Sequence, residues 1–165
     1  MKMFLRMLTL SMVLSLGLLL SACGGGGGSG SGGASSGGSS GGGATTLEVS
    51  TPGENLAFEP TTLSATAGQQ VTVQFKNNSS AQQHNWVLVS GGEAEAKAVA
   101  DAGLTAGAGA NYLPADNANV AANTPLANGG ETVEASFTAP AAGTYTFLCT
   151  VPGHYPLMQG TLTVN

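Results

Sequence analysis

From residue 44 onward the chain alternates between apolar and polar positions. Val71, Val73 and Phe75 are separated by Thr72 and Gln74, and Val133, Ala135 and Phe137 sit among Thr132, Glu134 and Ser136. A period of two sends successive side chains to opposite faces of a pleated strand, so both runs predict half-buried strands. Shorter runs predict further strands at Leu47 to Ser50, Thr61 to Ala65, Asn85 to Val89, Gly143 to Cys149 and Thr161 to Val164. Seven short strands in about 120 residues, with turn residues between them, predict an all-β Greek-key sandwich or barrel. One segment breaks the period. Glu93 to Ala102 is alanine-rich, carries Glu93 and Glu95 in its first turn, offers a Glu93–Lys97 pair at i,i+4 and meets Gly103. It predicts one short inserted helix ending at that glycine. Leu104 to Gly130 then reads as a long irregular stretch, and no internal repeat is evident.

The start of the chain has another composition. Lys2 and Arg6 precede an apolar stretch from Met7 to Leu20, and Leu20-Ser21-Ala22-Cys23 follows directly. This is the charged, apolar and small-residue order of a secretory signal. Its last four residues resemble a bacterial lipobox, in which Cys23 becomes the lipidated N-terminus; an uncleaved signal anchor is the other reading. Both place the rest of the chain at the extracytoplasmic (periplasmic) face of the cell membrane and anchored to it, and stable lipid anchoring takes more than one acyl chain. Residues 24–43 are Gly and Ser with a single Ala. Such a run cannot pack and predicts a flexible tether with a span of about 25 Å. A domain that swings between partners and one merely held off the surface need the same composition. The expected organisation is a signal peptide at 1–22, lipidated Cys23 with its Gly/Ser tether at 23–43, and one folded domain at 44–165.

Charge narrows the partners. Beyond residue 43 the only cations are Lys76 and Lys97, against all nine carboxylates of the chain, a formal charge of −7. Without clustered Lys and Arg there is no footprint for a phosphate backbone, which excludes nucleic-acid binding. Only one apolar run approaches spanning length, which excludes a polytopic membrane protein. An acidic domain is instead steered toward basic protein surfaces.

With Cys23 assigned to the N-terminal segment, Cys149 has no intrachain partner and is a free thiol, an intermolecular bridge or a metal ligand. In Cys149-Thr-Val-Pro-Gly-His154-Tyr-Pro-Leu-Met158 a thiolate, an imidazole and a thioether stand at 0, +5 and +9. Cys149 shares a strand face with Tyr145 and Phe147 and so points inward. Pro152-Gly153 supplies a turn that brings His154 back toward the sulfur, and the few residues around Pro156 return Met158. His84 opens the strand carrying Trp86 and Leu88 and completes a set of two imidazoles, one thiolate and one weak thioether. That set suits both Cu(I) and Cu(II). Zinc gains little from a Met ligand, and iron–sulfur clusters need more cysteines. Taken singly, a buried Cys or a Met near a strand end is core packing, as Trp86, Phe75 and Phe147 are expected to be. A Cys149–His154 nucleophile pair is the enzymatic alternative; the sequence supplies it no evident orienting residue or oxyanion hole, so the expectation is an electron-transfer protein and not an enzyme. Asn77-Asn78-Ser79-Ser80 contains glycosylation-like triplets and reads as a turn.

His84-Asn-Trp-Val-Leu and Tyr145-Thr-Phe-Leu-Cys-Thr-Val-Pro-Gly-His-Tyr-Pro-Leu-Met-Gln-Gly-Thr-Leu-Thr-Val resemble the copper-binding segments of azurin and its relatives the auracyanins, type 1 (blue) copper proteins of the cupredoxin family. The likeness covers most of Leu47 to Asn165, and a tether with an anchor ahead of the domain favours the auracyanin type. The resemblance implies one copper ion cycling between Cu+ and Cu2+, with His84, Cys149 and His154 as equatorial ligands and Met158 as the axial one. It implies a weak carbonyl contact from Gln83, where azurin has Gly, and a loop-fixing role for Asn85 and Thr150. Azurin's disulfide has no counterpart cysteines here. The resemblance also implies a monomer passing single electrons from a quinol-oxidising complex or cytochrome to a photosynthetic reaction centre or another terminal acceptor, in a photosynthetic or respiratory chain. The exit would be the edge of His154, ringed by Val151, Pro152, Pro156 and Leu157. The rival expectation is an extracytoplasmic copper-binding or delivery protein, although delivery favours open Met- or His-rich sites and Met is scarce here outside the signal segment. A Greek-key domain with a vestigial site is the third.

Overall fold

Where alternation is predicted, the computed structural model obeys it, over the residues it describes, 43–115 and 117–165. The signal segment, Cys23 and the tether up to residue 42 lie outside the described residues. Strands β1 (Thr45–Ser50), β3 (Gln70–Lys76) and β6 (Thr132–Thr138) form one sheet in the order β1-β3-β6. Strands β2 (Thr62–Ala65), β8 (Gln159–Val164), β7 (Gly143–Leu148), β4 (Val87–Val89) and β5 (Val120–Asn123) form the other, in that order. β1 runs parallel to β3 and β2 parallel to β8, and the remaining pairs are antiparallel. Val49, Val71, Val73 and Phe75 of the first sheet bury against Leu63, Leu88, Phe147 and Leu162 of the second. Trp86 and Phe58 fill the space between, with ring centroids 5.7 and 5.3 Å from Phe147. The core expected of Trp86, Phe75 and Phe147 is thus present, each contributing about 1.5–3 kcal/mol by leaving water.

β4 lacks alternation because it is covered on both sides. Leu88 points into the sandwich, while Val87, Val89 and Leu148 form a second cluster with Ala96 and Val99 of α1 (Glu93–Ala106), the one α-helix among the described residues. The helix starts where expected, with the Glu95 carboxylate accepting the Gly92 N–H at 2.8 Å. It does not stop at Gly103. It continues to Ala106, and Gly107, at φ 73°, caps it by donating to the Gly103 carbonyl at 3.2 Å. Gly103 has a different use: a Cβ there would lie 2.4 Å from the Tyr112 carbonyl oxygen and 2.9 Å from Thr150 Cβ, so the missing side chain lets the helix approach the residue after Cys149. Lys97 pairs with Asp101 at 2.5 Å instead of Glu93, an exposed contact of little energetic weight.

The stretch expected to be irregular contains a 3-10 turn, Ala108–Ala110, and β5. Val120 is the only β-branched residue of β5, so the strand carries a weak local signal. It forms because β4 offers an open edge, pairing Val87 with Asn123 and Val89 with Val120. β4 itself begins at Val87 and not at Asn85, since His84 makes only an isolated bridge to Ala127.

The chain enters β1 at a definite place. Gln69 donates to Thr45 Oγ1 at 2.6 Å and to the Gly43 carbonyl at 3.3 Å. Gln69 also pairs with Ala139 and Thr66, beside the turns where Asn165 meets Ala65 and Ala67. This is the end at which β8 finishes. Its start, at Gln159 beside Met158, is a six-residue strand away, about 20 Å.

The glycine notch is testable. Gly103→Ala should lower unfolding free energy by about 2 kcal/mol through overpacking, despite the gain in helix propensity. Gly109→Ala, where a Cβ meets nothing within 4 Å, should stay within about 0.5 kcal/mol of the parent. Urea unfolding of the two variants distinguishes a glycine needed for packing from one in open space.

Candidate metal centre

The loop after β7 is built by its own backbone. Val151-Pro152-Gly153-His154 closes a turn in which the His154 N–H donates to the Val151 carbonyl at 3.0 Å. Pro152 in the second position and Gly153 at φ 83° in the third are the residues a type II turn requires. The His154 carbonyl then accepts from Leu157 N at 3.1 Å and Met158 N at 2.9 Å, and Cys149 N donates to the Met158 carbonyl at 3.1 Å. The expected return of both His154 and Met158 toward Cys149 is therefore realised in the main chain. Met158 is fully buried in the same cluster as Cys149.

His84 comes from just ahead of β4, the strand paired with β7. Its backbone N–H and carbonyl both pair with Ala127, at 3.1 and 2.8 Å. Asn85 ties this segment to the loop: Nδ2 donates to Thr150 Oγ1 at 2.7 Å and Oδ1 accepts the Thr150 N–H at 2.9 Å. Asn85 Nδ2 also reaches the Asn111 carbonyl at 2.8 Å, which brings the loop after α1 into the same network. All of Asn85 and nearly all of Thr150 is shielded from water.

Three donor atoms converge as a result. Cys149 Sγ lies 3.8 Å from His84 Nδ1 and 3.6 Å from His154 Nδ1, and the two ring nitrogens are 3.2 Å apart. A point equidistant from the three atoms lies about 2 Å from each, the length of a metal–imidazole bond. Among the described residues no carboxylate joins them in the same cluster. The donor set is therefore two imidazoles and one thiol, the soft and borderline ligands that suit copper. His84 and Cys149 are fully buried, whereas His154 keeps part of its ring at the surface.

Burial sets the protonation. It pushes the Cys149 thiol up to about 11, against the pull of the Asn85 and Val151 backbone amides toward the sulfur. It lowers His84 to about 4, helped by the neighbouring His154, and holds His154 below its ordinary value as well. At neutral pH the site is thus two neutral imidazoles facing a protonated sulfur.

The other expected residues fall in two groups. Asn85 and Thr150 sit directly behind the donors, as described. Gln83 is exposed, its side chain donating to Asn128 Oδ1 at 2.7 Å, and its carbonyl accepts no hydrogen bond among the described residues. Cys23 is outside the described residues. Three features escaped the sequence. Thr124 Oγ1 accepts the Trp86 N–H at 3.0 Å, and Asn111, left-handed at φ 55°, supplies the carbonyl to Asn85. Asn77 and Ser79, expected in a turn, are buried, with Glu54 bonded to Ser79 and Ser80. The doubled Asn-Asn-Ser-Ser was the only hint, because such residues can satisfy a buried loop as well as an exposed turn.

Comparison with known proteins agrees with this geometry. Residues 45–165 match the model for copper binding proteins of the plastocyanin/azurin family. The chain is 61% identical to Auracyanin-A of Chloroflexus aurantiacus over 165 residues, all of both chains. A solved structure of auracyanin A, described as a "blue" copper protein from that green thermophilic photosynthetic bacterium, shares 66% identity at a TM-score of 0.73 and covers 74% of this chain and 100% of its own. Dithionite-reduced auracyanin from the photosynthetic bacterium Roseiflexus castenholzii shares 47% at a TM-score of 0.71, covering 73% of this chain and 97% of its own. Fold, donor set and relatives converge, and the chain belongs to the plastocyanin/azurin family of copper-binding proteins, as a blue copper cupredoxin of the auracyanin kind.

Proposed function

We propose that this protein is a membrane-tethered single-electron carrier in which His84, Cys149 and His154 would hold copper, with the Met158 thioether and the carbonyl of Gln83 as weaker contacts. One observation carries the reading: donors 65 and 70 residues apart in sequence are brought within bonding reach of one point, with the Asn85–Thr150 hydrogen bonds directly behind them. Bound copper would supply a one-electron couple there. The protein's part is to keep the donors still. Cys149 and His84 are closed off from water and tied through Asn85–Thr150 and Cys149–Met158, so neither oxidation state can draw the ligands far from their places. The same closure disfavours delivery, because handing a metal on needs donors that an acceptor can reach.

Electron exchange falls to His154, the exposed member of the set. Its loop presents Leu157, 69% exposed, beside Pro152 and Pro156. An apolar rim of this kind permits close, brief docking, while the excess of carboxylates steers the domain toward basic redox partners. A quinol-oxidising complex or cytochrome as donor, and a reaction centre or other terminal acceptor, suit a relative whose source is a photosynthetic bacterium. Nothing in the site calls for a second copy, and a monomer suffices.

Attachment to the extracytoplasmic membrane face would come from the residues before Gly43. Among the described residues no helix is long and apolar enough to cross a membrane. The identity to the Chloroflexus protein extends over the whole chain, signal-like segment included. Gly43 itself lies at the end of the domain where β8 finishes, about one strand length from the His154 loop.

Three outcomes follow from the site and its anchor. Cu(II) added to the protein should give an intense blue thiolate-to-copper band that a reductant bleaches reversibly; a Cys149→Ser variant should stay colourless. At pH 7 both histidines are already neutral and the Cys149 thiol is not ionised, so loading should release one proton per copper, read with a pH indicator in weak buffer. Release of two or more would show that the imidazoles are charged in the metal-free protein. Mass analysis of the membrane-extracted parent should find acyl chains on Cys23, and a Cys23→Ser variant should carry none.

A further inference from the structure

His84 lies outside the Cys149–Met158 loop; Asn85 ties its following residue to that loop, but the His84 ring is not anchored on its own. A metal-bound histidine ordinarily donates its second nitrogen to a carbonyl or carboxylate, which fixes ring and tautomer. Here Nε2 of His84 is buried with no hydrogen-bond partner among the described residues. The restraint on the ring therefore acts through the backbone, and on the side away from Asn85 that backbone is gripped by one side chain. Asn77 Nδ2 donates to the Gln82 carbonyl at 2.7 Å, two residues before His84, and to the carbonyl of Ala127, the bridge partner of His84, at 3.1 Å. A single amide group thus grips the His84 bridge from both of its strands.

Asn77 is itself fully committed. It is completely buried; Oδ1 accepts the Ser79 N–H at 3.0 Å and the Thr51 hydroxyl at 3.3 Å. Its backbone N–H donates to the Glu131 carbonyl and its carbonyl accepts from Gly130 N, both at 2.9 Å. Glu54 closes the arrangement from outside. Its carboxylate accepts Ser79 Oγ at 2.7 Å, Ser80 N at 2.6 Å and Ser80 Oγ at 2.8 Å, while its backbone carbonyl accepts Gln82 Nε2 at 3.2 Å. A loop with this many mutually satisfied groups has one arrangement, because each buried group that loses a partner costs its desolvation.

We infer that Asn77, clamped from the surface by Glu54, is the positioning residue for His84. It does for the His84 bridge what Asn85 does for the Cys149 loop. The inference rests on the reading of His84 as a copper ligand, and the two can fail separately.

The test uses Asn77→Ser, Glu54→Ala, Glu54→Gln and a control, Val164→Ala, which removes core methyls at the far end of β8 and touches none of these residues. Two quantities are read: Cu(I) affinity by competition with a chromophoric chelator, and the His84 ring cross-peaks of the metal-free protein by NMR. Asn77→Ser and Glu54→Ala should weaken Cu(I) binding about 10- to 100-fold. They should also broaden or split the His84 cross-peaks while those of His154 hold. Glu54→Gln, which keeps an acceptor oxygen for Ser80, should recover most of the affinity, and Val164→Ala should leave both readings unchanged. Parent-like affinity with unaltered His84 cross-peaks in Asn77→Ser and Glu54→Ala overturns the inference, and so does an equal loss in Val164→Ala. If the parent itself takes up copper without a Cys149-dependent blue band, the ligand reading falls, and the metal-free His84 cross-peaks still decide whether Asn77 places the ring.

Discussion

Two hydrogen bonds between Asn85 and Thr150, made where water does not reach, hold the metal end of this molecule together. They join the residue after one imidazole to the residue after the sulfur, across 65 positions of sequence. Each is worth about 1 kcal/mol net, but leaving either partner bare in that space would cost more. Asn85 and Thr150 therefore hold each other's segments in one register, and Cys149 Sγ faces His84 Nδ1. The Cys149–Met158 backbone bond does the same for His154, by shutting the loop that carries it.

The helix is part of this support. α1 covers the outer face of β4 and β7 and extends past Gly103, whose bare Cα lets it come against Thr150. The Asn111 carbonyl, from the loop the helix leads into, completes the bonding of Asn85. The insertion after β4 thus braces the ligand loop from behind. On the opposite side Thr51, Glu54 and Asn77 brace the His84 segment. Donors held between two such braces change position little when charge on the metal changes, which is what rapid electron transfer requires of a protein.

Local chemistry made much of this legible. Val71-Thr-Val-Gln-Phe75 can bury one face only as a strand, and Pro152-Gly153 turns the chain in a known way wherever it stands, so strands and ligand loop were readable without a fold. The +5 and +9 spacing of His154 and Met158 from Cys149 worked because those residues share one loop. β4, α1's true end and β5 were less readable. Val87, Leu88 and Val89 have no period since both faces are covered; Gly103 looks like a helix stop until the residues packed on it are known; and Val120-Ala-Ala-Asn123 becomes a strand only because β4 leaves an edge beside it.

By itself, then, the sequence determined the strand faces, the loop that returns His154 and Met158 to Cys149, and the donor chemistry that selects copper, all of them properties of residues near one another in the chain. The resemblance pointed to Asn85 and Thr150, but the tertiary structure alone decided which groups Asn85 and Asn77 bond. Asn77 and Asn85 look alike in sequence, each a polar residue beside a strand, and either could have faced solvent. Their partners, at Ala127, Thr150 and Asn111, are 26 to 65 residues away, and only the packing of two sheets and a helix brings those groups within reach and removes the water that would otherwise bond them.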